Sequence, residues 1–211
     1  YEAEDLLVFG SGYSLALASY KAMECGRTGM EFAVGIPGSI GGAVYMNAGA
    51  YDGEMQNIVN CVKVMDLQGN ERVLTAEELN FGYRKTSLQN SGLIVTEVTL
   101  KMPSGNKDEI KSKMDDFSHR RISKQPLEMP SAGSMFKRPP GYFAGTLIDQ
   151  AGLKGYTVGG AQISTKHAGF VVNVGGATAA DVLQLIKDVQ TKIKAGVGVE
   201  LQPEVLVIGE E

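Results

Sequence analysis

The sequence predicts an α+β fold made of two lobes. Short strand-like segments and amphipathic helical segments are mixed along the chain, and no internal repeat is visible. Residues 103–106 form a Pro/Gly-containing break, which is the best candidate for a linker, and helical patterns become more frequent after it. At 211 residues the chain can form one large domain or two modest ones with a buried core.

The first elements are a predicted strand and a predicted helix. Leu6–Phe9 is a short apolar run typical of a buried strand, and Gly10-Ser11-Gly12 follows it. Ser14 is placed to cap the helix behind this turn, and Gly26 is placed to end it. The apolar stripe of this helix consists of Leu15, Ala18, Ala22 and Met23.

A hairpin and one further strand complete the first half of the chain. Cys61–Met65 and Glu71–Leu74 flank a turn at residues 67–70, which predicts the hairpin. Leu93–Met102 alternates in the manner of a strand. One face of that strand carries Ile94, Thr96, Val98 and Leu100.

The second half is predicted to be richer in helices. Glu109–Arg121 is a helix with apolar residues at helical spacing, and a short helix lies near residues 145–151. A Gly/Pro-rich stretch separates them, and Gly169–Val174 is a strand.

The strongest helical pattern, Ala179–Ala195, follows that strand. Thr178 and Asp181 resemble a capping box, and Gly196 is placed as the C-terminal stop. Its apolar positions are Val182, Ile186, Val189 and Ile193. Val199–Ile208 is predicted as a last strand.

Composition and charge exclude several classes of protein. A net charge of −4 leaves no electrostatic footprint for nucleic acid or an anionic membrane, and no apolar run approaches the roughly 20 residues that cross a bilayer. Cys25 and Cys61 are typical of reduced thiols, and no Cys/His/Asp cluster has the spacing of a metal site. Because no charged and then apolar leader opens the chain, we expect a cytoplasmic protein without membrane insertion.

The most informative segment is GIPGSIGGAVYMNAGAY, residues 35–51. Its glycines leave long stretches of backbone N–H uncovered, so it can wrap a pyrophosphate or approach a flat ring closely. A buried structural turn is the competing interpretation, and the residues alone leave the two about evenly matched. No P-loop motif occurs, and Leu15 stands where the third glycine of a Rossmann fingerprint would be.

Three further segments carry candidate polar groups. In FGYRKTS, Arg84 beside Tyr83 can clamp a carboxylate, although a surface turn with a solvated arginine is also consistent with the pattern. In SAGSMFKRP, Ser134 can donate a hydrogen bond or relay a proton. In LQPEV, Glu204 stands in an otherwise apolar run, where a carboxylate is costly unless paired or protonated, although an exposed edge-strand glutamate fits equally well.

The chain between residues 120 and 138 carries five cations in a Gly/Ser/Pro-rich context, which suits a loop site for a phosphorylated ligand. These cations are Arg120, Arg121, Lys124, Lys137 and Arg138. His167 precedes a predicted buried strand and is either a ligand contact or a satisfied core histidine.

In this order, the four segments resemble the UDP-N-acetylenolpyruvoylglucosamine reductases, a family of flavoenzymes. The resemblance extends from about Gly26 to Gly209 and is closest to the compact subtype that lacks an extra insertion in the substrate region. It implies bound FAD, NADPH as reductant, and reduction of UDP-N-acetylglucosamine enolpyruvate to UDP-N-acetylmuramate in peptidoglycan precursor synthesis. It also implies a vanillyl-alcohol-oxidase-type flavin fold with a separate α/β substrate lobe.

The resemblance also implies roles for individual residues. Arg84 and Glu204 would polarise the substrate carboxylate, and Ser134 would protonate the neighbouring carbon. Substrate contacts are expected from Tyr83, Lys124, Lys137, Arg138 and His167. Cofactor contacts are expected from Gly35, Ile36, Pro37, Gly38, Ser39, Gly41, Gly42, Asn47, Gly49 and Ala50.

The expected domain organisation follows. Residues 1–105 would form one flavin-binding lobe, without the family's N-terminal lobe, residues 106–198 the substrate-binding domain, and residues 199–211 a C-terminal strand carrying the catalytic glutamate. We expect a monomer that binds small molecules and no nucleic acid. Two alternatives remain open: another oxidoreductase of the same flavin fold, and a non-catalytic module that binds a nucleotide sugar.

Overall fold

The computed structural model describes residues 2–3 and 5–209 of the chain. These residues form an α+β fold that divides into two compact units, Tyr1–Arg121 and Ile122–Glu211. The elements of the first unit are β1 (Glu2–Ala3), β2 (Leu6–Gly10), α1 (Leu15–Glu24), α2 (Ile40–Tyr45), β3 (Gly49–Ala50), β4 (Gly53–Glu54), β5 (Val59–Met65), β6 (Glu71–Thr75), β7 (Ile94–Lys101) and α3 (Lys107–Lys124), whose last three residues belong to the second unit. The elements of the second are β8 (Ser131–Ser134), α4 (Ala144–Gln150), β9 (Thr157–Val158), β10 (Ala161–Ile163), β11 (Phe170–Asn173) and α5 (Ala179–Val197).

The first unit is built on an antiparallel sheet with the order β1-β2-β7-β5-β6. The predicted hairpin is confirmed, because Cys61 pairs with Thr75 and Met65 pairs with Glu71 across the turn. The buried core of this unit is shared by the sheet and the first two helices. Members of that core include Leu7, Phe9, Leu15, Ala18, Ile40, Val44, Val62, Val98 and Leu100.

Helix α1 forms as its sequence predicts. The side chain of Ser14 accepts a hydrogen bond from the backbone N–H of Leu17, and Gly26 follows the helix with a φ of +66°. Of the predicted stripe, Leu15, Ala18 and Ala22 are buried, and Met23 is half-buried.

Residues 103–106 do not separate the two units. The carbonyl of Pro103 accepts from the N–H of Thr28 (3.0 Å), and the N–H of Gly105 donates to the carbonyl of Gly26 (2.8 Å). Helix α3 then packs Ile110, Met114 and Phe117 against a cluster that includes Val34. The contacts therefore divide at Arg121 and Ile122, because the apolar face of α3 belongs to the first unit.

The second unit contains a four-stranded antiparallel sheet with the order β8-β11-β10-β9. Its longest helix, α5, has the predicted capping box: Thr178 accepts from the N–H of Asp181, and Asp181 accepts from that of Thr178. The predicted stop at Gly196 is wrong by two residues. The helix continues to Val197, and Gly198, with a φ of +73°, ends it in a left-handed conformation.

The predicted strand at Val199–Ile208 is not present among the described residues. This segment makes one isolated bridge, between Pro203 and Phe136, and forms no strand. Leu201 is buried, whereas the side chains of Leu206, Val207 and Ile208 are 71–91% exposed. The apolar composition of this segment suggested a strand, but no neighbouring strand pairs with it.

Candidate active site

The glycine-rich segment is only partly a loop, because residues 40–45 form helix α2. The Oγ of Ser39 caps this helix by accepting from the N–H of Gly42 (3.2 Å). The start of α2 lies against the start of α1: the N–H of Leu15 donates to the carbonyl of Gly38, and that of Ile40 donates to the carbonyl of Tyr13. Two helix N-termini with their positive dipole ends are thus adjacent.

The glycines of this segment have different physical roles. A Cβ on Gly41 would lie 2.8 Å from the Cβ of Ser11, so this glycine permits α2 to approach the β2–α1 turn. A Cβ on Gly49 would lie 2.8 Å from the Cβ of Glu54 within the β3–β4 hairpin. By contrast, no described atom lies within 4 Å of a Cβ on Gly38, and the same holds for Gly12. Gly12 and Gly38 therefore leave their backbone open to an approaching ligand.

Asn47, which ends the turn after α2, is fully buried and bonded inside the unit. Its Nδ2 donates to the carbonyl of Gly82 (3.0 Å) and to Oε2 of Glu54 (3.1 Å), and its Oδ1 accepts from the N–H of Gln56 (3.0 Å). Its predicted contact with a cofactor stays a prediction. The structure gives this amide a role in joining the glycine-rich segment to the FGYRKTS segment.

The FGYRKTS segment forms a tight turn in which Gly82 and Lys85 exchange two backbone hydrogen bonds, of 2.9 and 3.1 Å. Arg84 occupies the third position with a φ of +55°. A side chain in this left-handed region costs about 1–2 kcal/mol, and glycine is the usual residue there. Strain of this kind is found at functional sites.

The guanidinium of Arg84 lies beside the glycine-rich segment. It donates to the carbonyl of Gly49 (3.2 Å) and lies 3.5 Å from that of Asn47. The ring of Tyr83, which is 53% exposed, stacks 5.1 Å from this guanidinium. The segment predicted to clamp a carboxylate is therefore attached directly to the segment predicted to bind the flavin, within one unit.

Ser134 and Glu204 are neighbours in the second unit. Ser134 is the last residue of β8 and pairs with Phe170 of β11. The chain around residue 203 then runs antiparallel to the residues after Ser134: the N–H of Glu204 donates to the carbonyl of Met135 (2.8 Å), and the N–H of Lys137 donates to that of Gln202 (2.8 Å). The side chain of Ser134 is exposed and that of Glu204 is half-buried.

The predicted cations are also located in the second unit. Lys124 is the last residue of α3, Lys137 is held by its backbone bond to Gln202, and the guanidinium of Arg138 lies 4.0 Å from the ring centre of Phe143. Phe143 is 60% exposed, and no motif in the sequence singles it out.

Lys166 is a second residue that the sequence pattern did not single out. Its Nζ donates to the carbonyl of Ile122 in the last turn of α3 (2.9 Å) and lies 3.5 Å from a carboxylate oxygen of Glu128. A cation is favourable at the C-terminus of a helix, and this one also pairs with Glu128 in the loop that follows α3. A lone lysine carries no local signal for such a contact.

His167 lies in the loop between β10 and β11, is half-buried, and packs near Gly145 in the first turn of helix α4. Its Nδ1 accepts from the N–H of Gly169 (3.0 Å), and its ring meets that of Phe170 edge-on at 5.0 Å. Burial lowers the pKa of His167, and the charges of Lys154 and Lys124 lower it further, against the opposing charge of Asp149. The neutral ring then carries its proton on Nε2, which makes that atom a hydrogen-bond donor.

Within residues 2–3 and 5–209, no group of three or more His, Cys, Asp or Glu side chains is arranged to hold a metal ion. In the same part of the chain, no helix is long and apolar enough to span a membrane.

Comparison with known proteins gives consistent similarities. Residues 125–208 match the family model described as the C-terminal domain of UDP-N-acetylenolpyruvoylglucosamine reductase. The chain is 54% identical over 201 residues to the Clostridium perfringens protein of that name, covering 95% of this chain and 66% of the relative. It is 51% identical over 205 residues to that of Pediococcus pentosaceus, covering 97% and 68%.

A solved structure is similar as well. The crystal structure of UDP-N-acetylenolpyruvylglucosamine reductase (MurB) from Thermus caldophilus matches with a TM-score of 0.82 and 41% identity, over 96% of this chain and 73% of that one. The chain thus spans about two thirds of the length of the curated relatives described here. At these levels of identity and coverage, the chain belongs to the UDP-N-acetylenolpyruvoylglucosamine reductase family.

Proposed function

We propose that the protein reduces UDP-N-acetylglucosamine enolpyruvate to UDP-N-acetylmuramate, with FAD as cofactor and NADPH as reductant, in the synthesis of peptidoglycan precursors. The observation that carries this proposal is the attachment of the Arg84 turn to the glycine-rich segment through Asn47 and Gly49. This contact supports the proposal, because the guanidinium of Arg84, which can bind a carboxylate, lies beside the backbone predicted to bind the flavin. Membership of the reductase family supports the same activity.

The first unit has features that fit a dinucleotide cofactor. Gly12 and Gly38 leave open space at the starts of α1 and α2, where N–H groups and helix dipoles attract a pyrophosphate. We infer that this unit is the second lobe of a vanillyl-alcohol-oxidase-type flavin fold and that the second unit binds the nucleotide sugar. When bound and reduced by NADPH, the flavin would supply the hydride that is added to the enolpyruvyl double bond.

The roles of this chain's residues follow from where charge develops. Addition of a hydride to the enolpyruvyl group places negative charge on the substrate carboxylate. Arg84 stabilises that charge more in the transition state than in the bound substrate, which accelerates the reaction. Glu204 assists if it is protonated or shares a proton.

Ser134 completes the reduction by delivering a proton to the neighbouring carbon. Its hydroxyl is exposed on β8, with the backbone of Glu204 bonded to the next residue along the chain, Met135. Because β8 is paired to β11, the hydroxyl of Ser134 is accessible to solvent and is also held on a rigid strand.

The cations of the second unit suit a diphosphate. Lys124, Lys137 and Arg138 would contact the uridine diphosphate, and the Nε2 proton of His167 can donate to a neighbouring oxygen. Tyr83 would also contact the substrate. Monomeric state and cytoplasmic location remain predictions from the sequence.

An absorption spectrum tests the function. The full chain is incubated with FAD and desalted, NADPH is added without oxygen, and the substrate follows. We expect retained flavin absorbance, bleaching by NADPH and recovery on addition of the substrate. Recovery with oxygen but not with the substrate would favour an oxidase of the same flavin fold, and a colourless chain that binds the UDP-sugar would favour a non-catalytic module.

A further inference from the structure

The strained backbone of Arg84 needs contacts that hold it in place. Its φ of +55° is unusual for a residue with a side chain, and such conformations persist only where the surroundings impose them. The two backbone bonds between Gly82 and Lys85 close the turn but do not attach it to the rest of the unit.

Gln89 provides an attachment at the strained residue itself. Its Nε2 donates to the carbonyl of Arg84 (3.1 Å) and to that of Tyr45 (3.3 Å), and it lies 3.6 Å from the Sδ of Met46. The side chain is half-buried, so its hydrogen bonds are partly shielded from solvent. One amide group therefore bridges the Arg84 turn and the end of α2.

The carbonyl of Tyr45 explains why a donor is favourable there. Tyr45 is the last residue of α2, and the final carbonyls of a helix have no partner within the helix. Thr86 donates to this carbonyl through Oγ1 (2.8 Å), and Gln89 adds a second donor. The same two residues that cap α2 thus fasten the chain on the C-terminal side of Arg84.

Asn47 fastens the other side of the turn. Its buried Nδ2 donates to the carbonyl of Gly82 (3.0 Å), two residues before Arg84. The turn is held at Gly82 by Asn47 and at Arg84 by Gln89, and the guanidinium emerges between them toward Gly49.

We propose that Gln89 is a positioning residue, which holds the backbone of Arg84 left-handed through a hydrogen bond to its carbonyl and so aims the guanidinium. The catalytic part of this inference depends on the proposed function. The conformational part does not, because it concerns only contacts within the first unit.

The test compares three variants of the full chain. Gln89→Met keeps the length of the side chain and removes the donor, Gln89→Lys restores a donor, and Gln68→Met is a matched change at an exposed turn residue. The backbone of Arg84 is followed by NMR, since a positive φ brings the amide and α hydrogens together and gives a strong intraresidue NOE. Flavin reduction by NADPH and reoxidation by the substrate are measured separately.

We expect Gln89→Met to weaken the Arg84 NOE and to slow reoxidation by about 10-fold or more, since small misplacements of a catalytic group have effects of that order. The rate of flavin reduction by NADPH should not change in Gln89→Met. Gln89→Lys should restore both the Arg84 NOE and the rate of reoxidation by the substrate. If the NOE persists in Gln89→Met, or if it is lost while reoxidation is unaffected, the proposal is wrong. If the unmodified chain shows no reoxidation by the substrate, the proposed function fails, and the NOE alone decides whether Gln89 holds Arg84.

Discussion

Replacement of Gly41 by alanine tests whether the glycine-rich segment serves packing as well as ligand approach. The new Cβ would lie 2.8 Å from the Cβ of Ser11 and 3.1 Å from its carbonyl oxygen. Ser11 cannot withdraw easily, because its carbonyl accepts from the N–H of Gly41 (2.9 Å) and its own N–H donates to the carbonyl of Thr96 (2.9 Å). The clash must therefore be absorbed by displacement of α2 or of the turn.

The neighbouring Gly42 is a matched control on the same helix. A Cβ there meets only the Oγ of Ser39, at 3.4 Å, which is an ordinary contact. Overpacking costs about 1–3 kcal/mol, and Gly→Ala within a helix gains up to about 1 kcal/mol. Because the same helix gain offsets part of the overpacking cost at Gly41, we expect Gly41→Ala to lose about 1–2 kcal/mol of unfolding free energy and Gly42→Ala to gain up to about 1 kcal/mol.

Thermal unfolding without FAD measures the difference. A change of 1 kcal/mol shifts Tm by about 2–4 °C in a chain of this size, so Gly41→Ala should unfold about 2–8 °C lower and Gly42→Ala up to about 4 °C higher. The chain has no Trp, so tyrosine fluorescence and far-UV circular dichroism are suitable probes. Equal Tm values for the two variants, or a Gly41→Ala variant as stable as the unmodified chain, would refute the packing role.

Three other changes test the site and the core. Ser134→Ala should leave flavin reduction by NADPH intact and slow reoxidation by the substrate about 10²–10⁴-fold, the usual contribution of a general acid, in stopped-flow absorbance. Leu185→Ala, at a fully buried position of α5, should cost about 2–5 kcal/mol in urea unfolding. For His167, the lowered folded pKa favours the neutral ring, so its stabilising contribution is present above the ordinary histidine pKa of about 6.5 and is lost as pH falls through the folded value. His167→Gln should therefore show a smaller loss of stability between pH 7.5 and pH 5 than the unmodified chain.

Each of these has a contrary outcome. Equal slowing of both half-reactions in Ser134→Ala would contradict its role as proton donor. Replacement of the exposed Leu183 by alanine is the control for Leu185, and equal costs for the two would contradict the burial of Leu185. His119→Gln is the control for His167 on the exposed side of α3, and an unchanged pH dependence in His167→Gln would contradict the lowered pKa.

Many elements of the fold were predictable because their signals are local. The Ser14 cap, the Thr178–Asp181 capping box and the buried positions of α3 are determined by residues within one or two turns of each other. The hairpin at residues 59–75 is equally local, since its two strands are joined by a short turn. The candidate residues Arg84, Ser134 and Glu204 were found through motif order, and their catalytic roles remain predictions.

Other features depend on residues that are distant in the sequence. Whether Gly41 faces a ligand or Ser11 depends on how α2 packs, and residues 103–106 look like a linker until their bonds to residues 26–28 are known. The apolar run after residue 199 resembles a strand, but a strand needs a partner with exposed backbone groups, and the structure supplies only one bridge.

The sequence by itself therefore determined the fold class, the short-range elements and the order of the motifs. Only the tertiary structure decided that Arg84 is left-handed, that Asn47 is buried between two segments, and that Gln89 reaches the carbonyl of Arg84. The physical reason is the range of the interactions. Caps and periodic stripes act over three or four residues, whereas the bonds from Asn47 to Gly82 and from Gln89 to Tyr45 join residues 35 and 44 positions apart, and these form only when the whole unit packs.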